Sequence, residues 1–144
     1  MNIKRLIIMQ GCSASGKSHI ASMIFKNSEH LLVEYCSADN FFMKDGIYKF
    51  NASLLGSAHG YCRHKAETAM KNNYDVVIID NTNTTKKEVE PYFTMAKQYG
   101  YFVQVISVSA DEELIKKQND SRKSDRKIPE NVIERQKSKI EKIL

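Results

Sequence analysis

Apolar positions along this chain follow two alternating rhythms. Short continuous apolar runs at 3–9, 31–37, 75–80 and 101–108 predict strands, and a run apolar on both sides is what a central parallel strand shows. Between them the apolar residues are spaced for helices. Residues 17–28 put Ile20, Ala21, Ile24 and Phe25 on one face. Residues 53–72 place Leu54, Leu55, Ala58, Tyr61, Cys62, Ala66, Ala69 and Met70 at helical intervals, with Ser53 as the expected N-cap. Residues 85–99 use Val89, Tyr92, Phe93, Ala96 and Tyr99, and Gly100 stops them. Pro91 lies inside that span and predicts a helix start or a kink there. Two further helices are expected at 111–119 and from Pro129 to about Ile143, the second with Val132, Ile133, Ile140 and Ile143 inward. Residues 41–52 show no period despite Phe41, Phe42, Tyr48 and Phe50, and read as an irregular loop. Residues 120–127 are charged throughout and read as mobile.

Strands alternating with helices predict an α/β fold of three layers, a central parallel sheet with helices on both faces. Right-handed crossovers put the C-terminal ends of all strands on one edge, where open α/β sheets bind ligands. Three polar clusters converge on that edge: residues 11–18, Asp39-Asn40, and Asp80 to Asn83. The length, 144 residues, fits a single domain over 1–144.

Composition changes this picture little. No apolar run approaches the ~20 residues that span a bilayer, and no signal peptide is evident. Cys12, Cys36 and Cys62 are odd in number and lack metal spacing, which predicts a reducing, intracellular setting without disulfides. The net charge of +5 is compatible with a polyanionic partner, although a nucleotide site alone also needs basic residues.

The chemistry is concentrated after the first strand. Gly11, Cys12, Ser13, Ala14, Ser15, Gly16, Lys17 and Ser18 form the pattern of a P-loop, placed between a strand and a helix as that motif requires. Gly11 and Gly16 are expected to adopt dihedrals that a Cβ forbids, so that successive amides point at an anion. The helix N-terminus adds positive potential, Lys17 reaches the β- and γ-phosphates, and the Ser18 hydroxyl can ligate Mg²⁺. Cys12 is a small filler or, less in keeping with its surroundings, a thiolate favoured by nearby positive charge.

Asp39, after the second strand, can orient an acceptor hydroxyl and take its proton, or it can cap the following turn. Asp80 ends the Val76–Ile79 run as a Walker B aspartate does, to hold Mg²⁺ through water or to fix Ser18. Arg122 and Arg126 lie one helical turn apart in the charged segment, where a lid spanning 120–128 can close guanidinium groups over a triphosphate. His59 and His64 are five apart, the wrong interval for a shared metal face. The unperiodic aromatics can stack on a base, or simply pack.

These motifs together resemble the P-loop polynucleotide kinase family, including the kinase part of phage polynucleotide kinase and the P-loop domain of ubiquitin-ligase-binding proteins. The resemblance runs through Gly11–Ser18, Ser37–Phe42, Ile79–Asn83, Met95–Tyr101 and the basic segment before Pro129. Asp39-Asn-Phe-Phe42, Asp45-Gly-Ile-Tyr48 and Phe50-Asn51 are most similar to the ubiquitin-ligase-binding branch. It implies ATP and Mg²⁺ as cofactors, Lys17 and Ser18 on the donor phosphates, Asp39 activating the acceptor hydroxyl, and Arg126 or else Arg122 as the lid arginine. Two positions depart from the family. Phe42 stands where the phage enzyme has an arginine for the acceptor phosphate, and Ser13 replaces the usual loop proline. The phosphatase half is absent from these residues.

The expected function is therefore an ATP-dependent kinase acting on a nucleic-acid hydroxyl, either a polynucleotide 5′-end or a hydroxymethylated base. Small phage kinases resembling this chain act on such bases, and a phage source fits. A small-molecule kinase or ATPase, and an ATP-binding adaptor with little turnover, are the alternatives.

Overall fold

A computed structural model describes residues 3–144. Its main sheet contains β1 (Arg5–Gln10), β2 (Val33–Cys36), β5 (Val76–Asp80) and β6 (Phe102–Ser107), in the order β2-β5-β1-β6. Every neighbouring pair is parallel, with Ile8 of β1 opposite both Ile79 and Val105. Side chains of a strand alternate between faces, and here the alternation sorts the core. Leu6, Ile8, Val77 and Ile79 pack under α2 (Leu55–Lys71) and α3 (Lys86–Tyr99), against Cys62, Ala66, Met70, Val89 and Tyr92. Ile7, Met9, Val76 and Ile78 face α1 (Lys17–Lys26), meeting Ala21, Ile20 and Ile24. The result is the expected three-layer α/β fold. Two more helices, α4 (Glu112–Asp120) and α5 (Glu130–Lys139), bring Ile115 and Ile133 against Cys12 and Ala14. Among the described residues no helix is long and apolar enough to cross a membrane.

Several local expectations change. Residues 41–52 are not irregular: a short 3-10 turn at Ala38–Phe42 leads into a hairpin, β3 (Met43–Lys44) and β4 (Ile47–Tyr48). Its turn is Asp45-Gly46, with φ of 52° and 76°, the left-handed pair that a two-residue hairpin requires. Ser53 does not cap α2. Its amide and hydroxyl both donate to Asn51 Oδ1, at 3.0 and 2.6 Å, so Asn51 caps a 3-10 turn that precedes the helix. Helix α3 starts at Lys86, ahead of Pro91, because the Thr85 side chain accepts from the Glu88 amide and the Glu88 carboxylate accepts from Thr84.

Helix α5 ends at Lys139 rather than near Ile143, and Ile140 is exposed. The tail turns extended because its backbone finds partners elsewhere. The Glu141 amide donates to Thr84 O at 2.7 Å, and Gln10 Nε2 donates to Glu141 O at 2.7 Å. Ile143 reaches the core under α3 by this route. The charged segment 120–127 is pinned at its base, where Asn119 exchanges two hydrogen bonds with the Ile128 backbone, at 2.7 and 3.0 Å.

Candidate functional site

The P-loop leaves β1 at the sheet's C-terminal edge. Gly16, at φ 95°, and Ala14, at φ 65°, both take left-handed conformations, which turn successive amides to one side. Gly11 is needed for a different reason from the one expected. Its φ is ordinary, but a Cβ there would sit 2.6 Å from the Val108 carbonyl oxygen. The main chain of Val108 is tied to the end of β1, since its amide donates to Gln10 O at 2.7 Å. The first amides of α1 have no partner within a helix, and the buried Ser15 hydroxyl has none either. A cradle of orphaned donors at a helix N-terminus fits phosphate oxygens. Some loop amides are already taken: Gly11 donates to Thr82 O at 3.1 Å, Ser15 to Cys12 O at 3.3 Å, and Ser13 to Gln136 Oε1 at 2.8 Å, which brings α5 over the loop. Cys12 packs with Ala14, Ile115 and Ile133, and burial pushes its thiol up despite Lys137 and Lys17 nearby. It is filler, and the thiolate alternative falls.

Asp80 is the hub beside this loop. Lys17 Nζ lies 3.3 Å from its Oδ1, with side-chain exposures of 11% and 2%. The Tyr35 hydroxyl donates to its Oδ2. Burial, then the Asp80 carboxylate, raises the Tyr35 phenol far above its ordinary range, while the Ser18 hydroxyl acts against them. Lys17, Asp80, Tyr35 and Ser18 thus form one polar group. Each Asp80 oxygen accepts one donor and keeps lone-pair capacity, and the Ser18 side is open to solvent. An oxygen-seeking cation such as Mg²⁺ fits between Ser18 and Asp80, with water as an intermediary.

The Asn residues after Asp80 are structural stitches. Asn81 Oδ1 accepts from the Ala38 amide at 2.9 Å, tying the end of β2 to the end of β5. Asn83, at φ 46°, donates to Met9 O at 2.7 Å, and Gln10 donates to Asn83 O at 3.1 Å. Through Asn81 the position of Asp39 is linked to the Walker B strand.

Asp39 lies in the 3-10 turn after β2, with a side chain 60% exposed. The Tyr48 hydroxyl donates to Oδ1 at 3.3 Å, and Arg126 Nη2 approaches Oδ2 to 3.9 Å. The same guanidinium lies over the Tyr48 ring, 4.1 Å from its centroid. Arg122 is half-buried in this cluster; burial, then repulsion from Arg126, lowers its pKa, and Asp39 opposes the change. The structure therefore brings Arg126 to Asp39, while Arg122 senses both charges without pairing with the carboxylate. His59 and His64 project from α2 as exposed residues. Tyr35, Tyr48 and Gln136 join the site without having been singled out for these contacts. Tyr35 sat in a strand pattern as packing, and nothing local marks Gln136.

Comparisons with known proteins agree with this geometry. The AAA domain family model (AAA_33) matches residues 6–143. Human NEDD4-binding protein 2 is 31% identical over 98 residues, which are 68% of this chain and 5% of that protein. A chain of the Pnkp1/Rnl/Hen1 RNA repair complex superimposes with a TM-score of 0.76 at 19% identity, covering 97% of this chain and 45% of that one. The Mycobacterium tuberculosis APS kinase CysC, in complex with AMPPNP and APS, gives a TM-score of 0.60 at 11% identity, covering 84% and 71%. At these identities the two structures share the fold with this chain, and a fold alone does not fix an activity. The chain, with its P-loop and its parallel sheet, belongs to the AAA domain family and has the polynucleotide kinase-like P-loop fold.

Proposed function

We propose that this chain is an ATP-dependent phosphotransferase that moves the γ-phosphoryl group to a nucleic-acid hydroxyl, a polynucleotide 5′-hydroxyl or a hydroxymethyl group on a base. The observation that carries this assignment is the approach of Arg126 and Tyr48 to Asp39, on the same sheet edge as the Lys17–Asp80 pair. The orphaned P-loop donors and Lys17 hold the donor phosphates. Asp39 accepts the proton of the acceptor hydroxyl while that oxygen bonds to the γ-phosphorus. The bond from the γ-phosphorus to its bridging oxygen breaks, and ADP leaves. Arg126 exchanges Asp39 for the donor phosphates as the lid closes, freeing the base as the charge builds. Ser18 and Asp80 would hold Mg²⁺, which would neutralise charge on the phosphate oxygens. Likeness to a chain of an RNA repair complex, and the net charge of +5, support a nucleic-acid acceptor. Phe42 is buried and offers no cation to an acceptor phosphate at its position, which suits a base-borne hydroxyl.

The test is transfer of labelled γ-phosphate to a panel of acceptors. It contains 5′-hydroxyl DNA, 5′-hydroxyl RNA, DNA with hydroxymethylated bases, and free nucleosides. Label is expected in a polynucleotide. Label in nucleosides alone would make the chain a small-molecule kinase, and ATP binding without label in any acceptor would make it an adaptor.

A further inference from the structure

Against the end of the 3-10 turn that carries Asp39 lies a cavity of about 520 Å³, lined by none of the P-loop residues. Phe41, Phe42 and Phe50 form its walls, Leu54 closes one side, and Lys44 and Lys49 stand at its rim. The volume is within the range of ligand pockets, roughly 300–1,000 Å³. Its construction is specific. Phe42 is the buried floor, set edge-on to Phe41 and Phe50 with ring centroids at 5.3 and 5.1 Å. The Lys49 amide donates to Phe42 O at 2.9 Å, which fixes the hairpin exit against that floor. Phe50 remains 53% exposed, an aromatic face turned to solvent beside the proposed base. Neither Lys44 nor Lys49 is in an ion pair among the described residues. Asp45 at the hairpin tip is not part of the lining.

We infer that this pocket is the acceptor subsite, and that it holds one nucleotide unit of a single strand. The base stacks on Phe50 and Phe41, and the flanking phosphate pairs with Lys44 and Lys49. Aromatic faces with unpaired cations suit a ligand that is flat, apolar and anionic at once, as a nucleotide is. Phe41 and Phe42 share the 3-10 turn that carries Asp39, so a base held there presents its hydroxyl to that carboxylate. This inference rests on the nucleic-acid kinase assignment above.

The experiment combines kinetics and binding. In wild-type protein, a 5′-hydroxyl oligothymidylate and thymidine 3′-monophosphate are titrated while backbone amide NMR shifts are followed. Shifts gathered at residues 41–54 support the subsite, and shifts elsewhere overturn it. With the acceptor that the panel identifies, Phe50→Ala is expected to raise acceptor KM about tenfold while ATP KM and kcat hold. Phe50 is exposed, so folding is preserved. Lys44→Ala and Lys49→Ala should each lower the slope of log affinity against log salt by about 0.7. Undiminished acceptor binding in all three variants would overturn the subsite and leave the kinase intact. Shifts at 41–54 with no phosphoryl transfer would retain the subsite and overturn the kinase.

Discussion

The two halves of the site are built differently. On the donor side the charged groups are anchored: Asp80 is buried and takes Lys17 and Tyr35, and Gln136 reaches the loop from α5. On the acceptor side Asp39 is exposed, and its partners approach at 3.3 and 3.9 Å. A triphosphate is the same molecule in every turnover, so a rigid cradle suits it. In the proposed reaction an acceptor must be admitted, aligned with its hydroxyl at the base, and released, which suits a side assembled from a hairpin strand and a charged turn. The difference teaches that the fold commits to the donor and leaves the acceptor to a few surface residues.

The strongest way to separate the halves is mutation of one anchor in each. Asp39→Asn should lower kcat by about 10²–10⁴-fold, the range for loss of a positioned base, with ATP affinity unchanged by calorimetry. Lys17→Ala should lower turnover by about 10²–10³-fold, as for one lost charge-stabilising donor, and should weaken ATP binding as well. If Asp39→Asn weakened ATP binding as much as Lys17→Ala does, the division into two halves would be wrong. Unchanged turnover in Asp39→Asn would remove it as the base.

The donor half was also the legible half. A P-loop is written in consecutive residues, and the apolar run ending at Asp80 marks its partner strand. The four parallel strands followed from continuous apolar runs because a strand buried on both faces needs no polar alternation. Asp39 was identifiable by its place after a strand. What it touches was not, because Tyr48 is turned back onto it by the hairpin and Arg126 reaches it from the far end of the chain. The hairpin had a local signal, Asp45-Gly46, but its two-residue strands were too short to show a period. The end of α5 was missed for another reason: Ile140 and Ile143 continue a helical pattern, yet the tail is taken up by hydrogen bonds to Gln10 and Thr84, more than 50 residues away. Gly11 was recognised for the wrong physical reason, since the contact with Val108 exists only once β1 and β6 are adjacent.

That contact gives the next prediction. Gly11→Ala places a methyl 2.6 Å from the Val108 carbonyl oxygen and 2.9 Å from Ser15 Oγ, and the Val108 main chain is tied to Gln10 O through its amide, so the oxygen cannot yield cheaply. Overpacking of this kind should destabilise the chain by about 2–3 kcal/mol and lower Tm by several degrees. A Tm within a degree of the wild type would show that the β1 and β6 ends are looser than this geometry implies.

The smallest effect distinguishes the two tyrosines that donate to the site's carboxylates. Tyr35 serves the donor half and Tyr48 the acceptor half. Burial followed by Asp80 raises the Tyr35 phenol, and burial followed by Asp39 raises Tyr48, more modestly. In the unfolded chain a tyrosine titrates near ~10. Below that pH both states keep the proton, and the stability linked to it is fully present. Above it the unfolded chain loses its proton first, so stability falls as pH rises towards the folded value. Tyr92, also raised by burial, and Tyr101, pushed up to about 12, share this direction, so wild-type stability in urea should fall steadily above pH ~10. Tyr35→Phe removes one of these groups and should make the fall shallower, while costing about 1 kcal/mol at neutral pH because Asp80 loses a donor. Tyr48→Phe, at an exposed carboxylate that water can satisfy, should change both quantities less. Equal effects from the two substitutions would mean that the acceptor side is as firmly built as the donor side, and that its openness belongs to the surface rather than to the design of the site.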